Sequence, residues 1–378
     1  MRKHVMIVSE ESVYAGNYKC GIGEVVDCMA HALRQFYDVT VVTIGKGRGG
    51  MLGRLVTMGP DCDFYAEAAK YINEAKPDLV HNFGRPDLIL QLEVDCPKVI
   101  TFDRWEEDVA GYEDVVALYD HAATLSTAYA NEMKAAHPEA AAWPLKGIIN
   151  GIDGGIYFCR NGIQEVRRAA FYQQEGREDS GKKLIVCMGR LLSLKGTDLL
   201  IQEAEAIAAT GAELVVWGTG ETEYEEQLQA LHDAGVLFYH RRMCNYGEMM
   251  NALWAADFYL MPSRHEVCGL QPMKAARVGC VPIVSPVGGM AENFSEDTAI
   301  FITGAISEAV GRAVALSEEE YAHLKANCEA GEWTWDTRIL PWVELYGLPT
   351  ASEEEAQLPR KTAAVKPCPF AKKEEADG

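Results

Sequence analysis

Short apolar runs alternate with amphipathic helical runs along most of the 378-residue chain, and this alternation limits the fold more than any other feature. Such alternation is typical of βαβ units and parallel sheets. One series of strands is predicted at His4–Ser9, Val39–Ile44, Leu79–Asn82, Lys98–Phe102 and Ala123–Ser126. A second series is predicted at Lys183–Met188, Leu214–Trp217, Phe258–Met261, Val281–Val284 and Ala299–Ile302. We therefore expect an α/β fold with two parallel sheets.

Changes in composition divide the chain into five predicted segments. Residues 1–155 and 181–331 each contain one series of strands and are predicted to form one α/β domain each. Residues 156–180 are polar and lack a strand-like run, which indicates an interdomain connection. Residues 332–348 are predicted as a helix rich in Trp and Leu. Residues 349–378 are rich in Glu, Lys, Ala and Pro, which predicts a disordered tail.

Composition and charge argue against several classes of partner. A net charge of −21 disfavours nucleic acid and anionic membranes as partners. No apolar run approaches the roughly 20 residues of a membrane span, so stable membrane insertion is not expected. Glu10 and Glu11 follow the first strand too soon for a signal peptide, and the 11 cysteines contain no Cys-x-x-Cys pair. We expect reduced thiols, a cytoplasmic protein and no metal site.

The run from Met261 to Met290 places a carboxylate, that of Glu266, in the loop after a predicted strand. Polar groups at the carboxyl end of a parallel strand, facing the next helix, are where open α/β sheets bind ligands. The backbone amides of Cys268, Gly269 and Leu270 are expected to point at an anion there. Glu266 beside them is expected to accept hydrogen bonds from sugar hydroxyls.

Two cations lie close together in the segment Cys187–Asp198. Arg190 and Lys195 flank a short loop between a predicted strand and a predicted helix. Cations beside a helix start can hold a diphosphate and stabilise the charge that develops on it as a glycosidic bond breaks. The alternative is a solvated basic turn without a ligand. The strongly acidic composition of the chain argues against this alternative, because two neighbouring cations are unusual in such a chain.

Glycine-rich turns follow two further predicted strands. They contain Gly21 and Gly23 after the first strand, and Gly218 and Gly220 after Leu214–Trp217. Small residues let backbone amides approach a phosphate or a nucleotide, although an ordinary tight βα turn also uses glycine. Neither domain has the Gly-x-Gly-x-x-Gly motif after its first strand that a dinucleotide dehydrogenase would need.

The run Met261–Met290 resembles the C-terminal signature of retaining glycosyltransferases with two facing Rossmann-like domains, the GT-B fold. It is most similar to that of bacterial glycogen and starch synthases, which carry Pro-Ser-Arg-aromatic-Glu-Pro-Cys-Gly-Leu and, at equal spacing, a Gly-Gly turn. Many relatives have a second glutamate where this chain has Lys274, and glycogen synthases usually lack it. Cys187–Asp198 resembles the Gly-Arg-x4-Lys-Gly motif of the family. Asn17–Glu24 resembles its Lys-x-Gly-Gly-Leu loop, with Lys19 matching the lysine.

The resemblance implies a role for each part of the chain. Residues 1–155 would form an acceptor domain, residues 181–331 a nucleotide-sugar donor domain, and residues 332–348 a helix that crosses back onto the first domain. Arg190 and Lys195 would bind the donor diphosphate, and Glu266 the sugar. The other implied donor-binding positions are Lys19, Gly21, Gly23, Gly218, Gly220, Cys268, Gly269, Leu270, Gly288 and Gly289.

His81 is the largest departure from the pattern of the family. The family has His-x-His at this place, and its second histidine contacts the donor sugar, whereas this chain has Phe83 there. His81 is retained as a candidate catalytic residue beside a structural reading. If His81 has only a structural role, the residue facing the sugar would be Asn82, Asp87 or Asp103.

The resemblance implies a retaining transfer of glucose from ADP-glucose or UDP-glucose onto an α-1,4-glucan. No cofactor and no metal are expected, because Arg190 and Lys195 would replace the charge of a metal. The first domain is short for a glycogen synthase, which leaves open a transferase acting on a small, glycan or lipid-linked acceptor. A non-catalytic nucleotide-sugar binder and a nucleotide-sugar epimerase are further alternatives. The nucleotide base is left unassigned, since Tyr246 could stack on a purine or simply pack.

Overall fold

The computed structural model describes residues 2–16, 21–45, 54–103, 113–137, 143, 145–158 and 164–350. The chain forms two compact units. Of the described residues, the first unit contains those up to Gly154 together with Trp333–Thr350, and the second contains Gly155–Glu332. Predicted features at Lys19 and in the tail beyond residue 350 lie outside the described residues.

The first unit is built on a sheet of seven parallel strands in the order β3-β2-β1-β4-β5-β6-β7. The strands are β1 His4–Ser9, β2 Asp38–Ile44, β3 Arg54–Met58, β4 Leu79–Phe83, β5 Lys98–Phe102, β6 His121–Thr124 and β7 Leu145–Gly147. Its helices are Gly21–Leu33, Phe64–Ala75, Glu113–Val116, Thr127–Ala136, Trp335–Arg338 and Leu340–Tyr346, with a 3₁₀ turn at Pro86–Gln91.

Local chemistry explains the helix Phe64–Ala75. The Asp63 side chain accepts a hydrogen bond from the Ala66 amide and so caps the first turn. Phe64, Ala68 and Ile72 lie on one face and are buried against β1, β2 and β4 in a common apolar core. The helix ends at Lys76, which takes a left-handed backbone conformation with φ of 48°.

The last described segment packs within the first unit. Ile152 forms a bridge with Thr334, and the Tyr37 hydroxyl donates to the carbonyl of Leu348. The single helix predicted for residues 332–348 is instead two short helices, Trp335–Arg338 and Leu340–Tyr346. Pro341 lies in the first turn of the second helix. It cannot continue the preceding hydrogen-bond ladder because it lacks an amide proton.

The second unit is built on six parallel strands in the order β10-β9-β8-β11-β12-β13. The strands are β8 Leu184–Met188, β9 Glu213–Trp217, β10 Phe238–His240, β11 Phe258–Met261, β12 Val281–Val284 and β13 Ile300–Phe301. Its helices are Gln164–Gln174, Thr197–Ala209, Thr222–Asp233, Tyr246–Ala255, Leu270–Arg277, Gly289–Asn293, Ile306–Val314 and Glu318–Ala330, with a 3₁₀ turn at Ser193–Lys195. The expectation of two parallel α/β sheets is confirmed.

Residues 156–180, predicted as a connection, contain the helix Gln164–Gln174, which packs within the second unit. The Arg167 guanidinium lies 4.5 Å from the centre of the Trp254 ring. Arg168 forms ion pairs with Asp179 at 2.6 Å and with Asp257 at 3.0 Å. The helix also buries Phe171 and Tyr172, and the Phe171 ring contacts Trp217. A polar segment thus contains a helix that is docked by two aromatic residues and by arginine side chains.

Among the described residues, no helix combines the length and the apolar character that crossing a bilayer requires.

Candidate functional site

The loop after β8 carries Lys195 and is fixed by backbone hydrogen bonds. The Gly189 amide donates to Trp217 O at 3.1 Å, and the Leu191 amide donates to Thr219 O at 2.9 Å. The loop then forms the 3₁₀ turn Ser193–Lys195, and the helix Thr197–Ala209 follows directly. Lys195 therefore lies at the carboxyl edge of the sheet, beside a helix start, as the sequence predicted.

Gly196 and Arg264 hold this turn against the loop after β11. Gly196 has φ of 72°, and a Cβ atom there would lie 2.0 Å from the carbonyl oxygen of Pro262. Arg264 binds both carboxylate oxygens of Asp198, at 2.5 and 2.6 Å, and donates to Ser193 O at 2.5 Å. Sequence reasoning missed both residues. The signal was present, since Arg264 and Gly196 belong to the two motifs that were singled out.

Lys195 and Glu266 form an ion pair. The Lys195 Nζ lies 2.5 Å from the Glu266 Oε2, and the two side chains are 24% and 14% exposed. The two residues come from different loops, 71 positions apart in the sequence. The side chain predicted to bind the diphosphate is thus in direct contact with the side chain predicted to bind the sugar.

Arg190 lies in the same loop, two residues after the end of β8, and is exposed. Within the described ranges it takes part in no ion pair. Its charge is therefore available to a ligand at this edge of the sheet.

Gly218 and Gly220 serve the packing of two loops. A Cβ at Gly218 would lie 2.4 Å from Gly189 O, and one at Gly220 would lie 2.2 Å from Leu191 O. Only glycine lets the loop after β9 approach the loop after β8 this closely. These contacts favour the structural alternative for both glycines over direct contact with a nucleotide.

Cys268, Gly269 and Leu270 form the start of the helix Leu270–Arg277. Gly269 is its N-cap with φ of 81°, and the Cys268 side chain is buried. The first N–H groups of a helix have no partner within the helix, so this start offers backbone donors at the same edge of the sheet as Lys195. Asn293 steadies it by donating to Cys268 O at 2.5 Å.

The turn at Gly288 and Gly289 differs from the expectation that its amides face the donor. The Gly289 amide donates to Glu266 O at 3.0 Å, and the Met290 amide donates to Val287 O at 3.1 Å. A Cβ at Gly288 would lie 2.0 Å from Glu266 O. Because the Gly289 amide is occupied and a Cβ at Gly288 would meet the Glu266 carbonyl, these contacts favour a role for both glycines in positioning the Glu266 loop.

His81 is buried in the first unit, and its surroundings favour a structural role over a catalytic one. The side chain is fully buried, with Nδ1 2.7 Å from the Tyr346 hydroxyl and Nε2 2.7 Å from the Thr101 hydroxyl. Burial lowers the pKa of His81 to about 3. A neutral imidazole with both nitrogens engaged and no exposed surface cannot receive a sugar unless the core opens. Of the open alternatives, Asn82 is also fully buried.

Gly21 and Gly23 begin the first helix of the chain. Gly21 is its first residue, and a Cβ at Gly23 would meet Ser12 N and Glu11 Cβ at 3.4 Å, an ordinary contact. The loop before it is held by Asp27, which accepts from the Ser12 hydroxyl at 2.8 Å and from the Tyr14 amide at 3.2 Å. Burial raises the pKa of Asp27 to about 6.

Lys274 occupies the position of the second glutamate found in many relatives. Its side chain is only 4% exposed, and its ammonium lies 5.2 Å from the centre of the Tyr157 ring.

The described residues contain no group of three or more His, Cys, Asp or Glu side chains arranged to hold a metal ion.

The architecture of two parallel α/β sheets is that of the GT-B glycosyltransferases. The catalytic domain of starch synthase IV from Arabidopsis thaliana, solved with ADP and acarbose, matches 92% of this chain and 99% of its own with a TM-score of 0.78 at 16% identity. HepE from Anabaena, solved with UDP and glucose, matches 92% of this chain and 100% of its own with a TM-score of 0.68 at 13% identity.

The sequence comparisons narrow this class. Residues 182–317 match the family described as glycosyl transferases group 1. The glycogen synthase of Streptococcus uberis is 26% identical over 287 residues, covering 64% of this chain and 59% of that protein. Residues 182–317 are therefore similar to the group 1 glycosyltransferase domain, and the chain is similar in sequence to bacterial glycogen synthases. It spans about half the length of the glycogen synthases that it matches.

Proposed function

We propose that the chain is a retaining glycosyltransferase that moves glucose from ADP-glucose or UDP-glucose onto an α-1,4-glucan. The observation that carries the proposal is the pairing of Lys195 with Glu266 at 2.5 Å, at the carboxyl edge of the second sheet. The proposed ligand for the diphosphate, a cation, thus lies in direct contact with the proposed ligand for the sugar hydroxyls, a carboxylate. A site for a nucleotide alone has no use for the carboxylate, because like charges repel.

Electrostatic stabilisation of the leaving diphosphate would do most of the chemistry. As the bond between the anomeric carbon and the diphosphate oxygen breaks, negative charge develops on that oxygen. Lys195, Arg190 and the amides at the start of the helix Leu270–Arg277 are the groups that would stabilise it. Two fixed cations can supply the charge that a divalent metal supplies elsewhere, so we propose that transfer needs no metal.

The first unit would then supply the acceptor side. With His81 enclosed in the core, the groups that approach the acceptor or the donor sugar are sought among the residues that follow β4 and β5. Asp87 in the turn Pro86–Gln91 and Asp103 after β5 remain the candidates from the sequence. The loop with Lys19, Gly21 and Gly23 remains a proposed phosphate contact.

Incubating the purified chain with ADP-glucose or UDP-glucose, with and without a glucan primer, tests the proposal. We expect release of nucleotide diphosphate that depends on the primer, and lengthening of the primer by α-1,4-linked glucose. Donor breakdown that a glucan does not stimulate, but a small or lipid-linked acceptor does, would assign the chain to a different transferase activity. No release with any acceptor would contradict the proposal.

A further inference from the structure

The ion pair between Lys195 and Glu266 joins two side chains that the proposed function gives different ligands. The Lys195 ammonium would bind the diphosphate, and the Glu266 carboxylate would bind sugar hydroxyls. In the ligand-free structure they bind each other at 2.5 Å. A ligand that binds either side chain therefore competes with this contact.

The two loops that carry the pair are held in place independently of it. Arg264 binds Asp198 and Ser193, which fixes the Lys195 turn. The Gly289 amide binds the Glu266 carbonyl at 3.0 Å. Because the backbones are fixed, Lys195 and Glu266 stay within reach of each other, and only their side chains need to move.

A nucleotide sugar and a free nucleotide diphosphate differ in the hydrogen-bond donors that they provide for Glu266. Sugar hydroxyls donate hydrogen bonds to the carboxylate and so compensate it for the loss of Lys195. A free nucleotide diphosphate brings only further negative charge, and leaves Glu266 without a partner in a partly shielded place. It must therefore compete with Glu266 for Lys195.

Resting on the proposed function, we propose that Glu266 discriminates between the nucleotide sugar and the nucleotide diphosphate that remains after transfer. When the sugar has left, Glu266 forms its ion pair with Lys195 again, and this weakens the binding of the diphosphate by Lys195. Glu266 is thereby a specificity-determining residue that favours donor binding and speeds product release. Partial burial of both side chains keeps their attraction from being fully screened by water.

Calorimetric titration of four proteins tests the inference: the natural sequence, Glu266→Gln, Lys195→Ala and the double variant. The ligands are ADP, UDP, ADP-glucose and UDP-glucose, without acceptor. We expect Glu266→Gln to bind the diphosphate about tenfold more tightly, the order of magnitude of one charge-assisted hydrogen bond. Its affinity for the nucleotide sugar should stay the same or fall, so that the preference for the donor is lost.

The double variant separates exchange of Lys195 from general repulsion. If Glu266 acts by competing for Lys195, then Glu266→Gln should change the diphosphate affinity little when Lys195 is already Ala. Equal tightening in both backgrounds would overturn the inference, because removal of any nearby negative charge would then explain it. Unchanged or weaker diphosphate binding by Glu266→Gln would also overturn it.

Failure of the proposed function would look different. In that case the natural sequence would bind none of the four ligands, or Lys195→Ala would leave the diphosphate affinity unchanged, and the inference would fall with it. Circular dichroism of each variant verifies that the fold is intact.

Discussion

Replacing Gly196 by Ala tests whether a close approach between two backbones positions Lys195. Gly196 has φ of 72°, and a Cβ there would lie 2.0 Å from Pro262 O. Gly235 has the same φ of 72°, with no atom within 4 Å of its Cβ position. Gly235→Ala is therefore a matched control that shares the backbone conformation but not the clash.

The two substitutions should differ in cost. Placing Ala in the left-handed region costs about 1–2 kcal/mol, which is the whole effect expected at Gly235. At Gly196 the new methyl group cannot fit beside a carbonyl oxygen at 2.0 Å, so the backbone has to move. Overpacking typically adds about 1–3 kcal/mol, which brings the expected loss to roughly 2–5 kcal/mol. Because Lys195 adjoins the displaced residue, turnover should also fall by at least about tenfold.

Urea unfolding followed by tryptophan fluorescence measures the first effect, and release of nucleotide diphosphate from the donor measures the second. Gly235→Ala should retain full turnover. The reasoning is refuted if Gly196→Ala is no more destabilising than Gly235→Ala and also retains turnover. In that case the contact with Pro262 would not constrain the turn.

Three further predictions concern the charges of the molecule. Lys195→Ala should lower turnover by roughly a hundredfold, the scale for losing one transition-state electrostatic contact; the exposed Lys182→Ala is its control, and equal turnover of the two variants would reject the assignment. Transfer should persist in excess EDTA, and its loss on chelation with recovery on adding magnesium or manganese would contradict the proposal of two cations. The raised pKa of Asp27, about 6 against 3.8, means that its stabilising protonated form is present at low pH and lost as the pH rises through 6. Between pH 5 and pH 8 the free energy of unfolding should therefore fall by roughly 1 kcal/mol more in the natural sequence than in Asp27→Asn, and parallel pH profiles in urea unfolding would disprove this.

Strong local patterns in the sequence were enough to predict most of the fold. β5, β11 and β12 have the predicted bounds, because each is a short apolar run with a polar residue or a proline directly after it. β3 and β10 were missed. Both are at the edges of their sheets, where one side of the strand is open and the apolar pattern is weak. The docking of the helix Gln164–Gln174 was not predicted, since only two of its residues, Phe171 and Tyr172, are buried and the rest of the segment is polar.

The sequence by itself predicted that three charged side chains lie at one edge of the second sheet. Arg190, Lys195 and Glu266 each follow a strand, and parallel strands bring their carboxyl ends to one edge. Spacing along the chain thus predicted the edge at which these charges lie.

Only the tertiary structure decided how the candidate residues are used. The contact between Lys195 and Glu266 depends on distances between loops that are 71 residues apart, which no local pattern encodes. The same holds for His81, whose burial depends on Tyr346 at the far end of the chain, and for Gly288, whose role depends on the carbonyl of Glu266. A glycine or a histidine in a motif has the same sequence signature whether it faces a ligand or a neighbouring backbone. Packing alone chooses between the two, because the space beside the residue is set by elements remote in sequence.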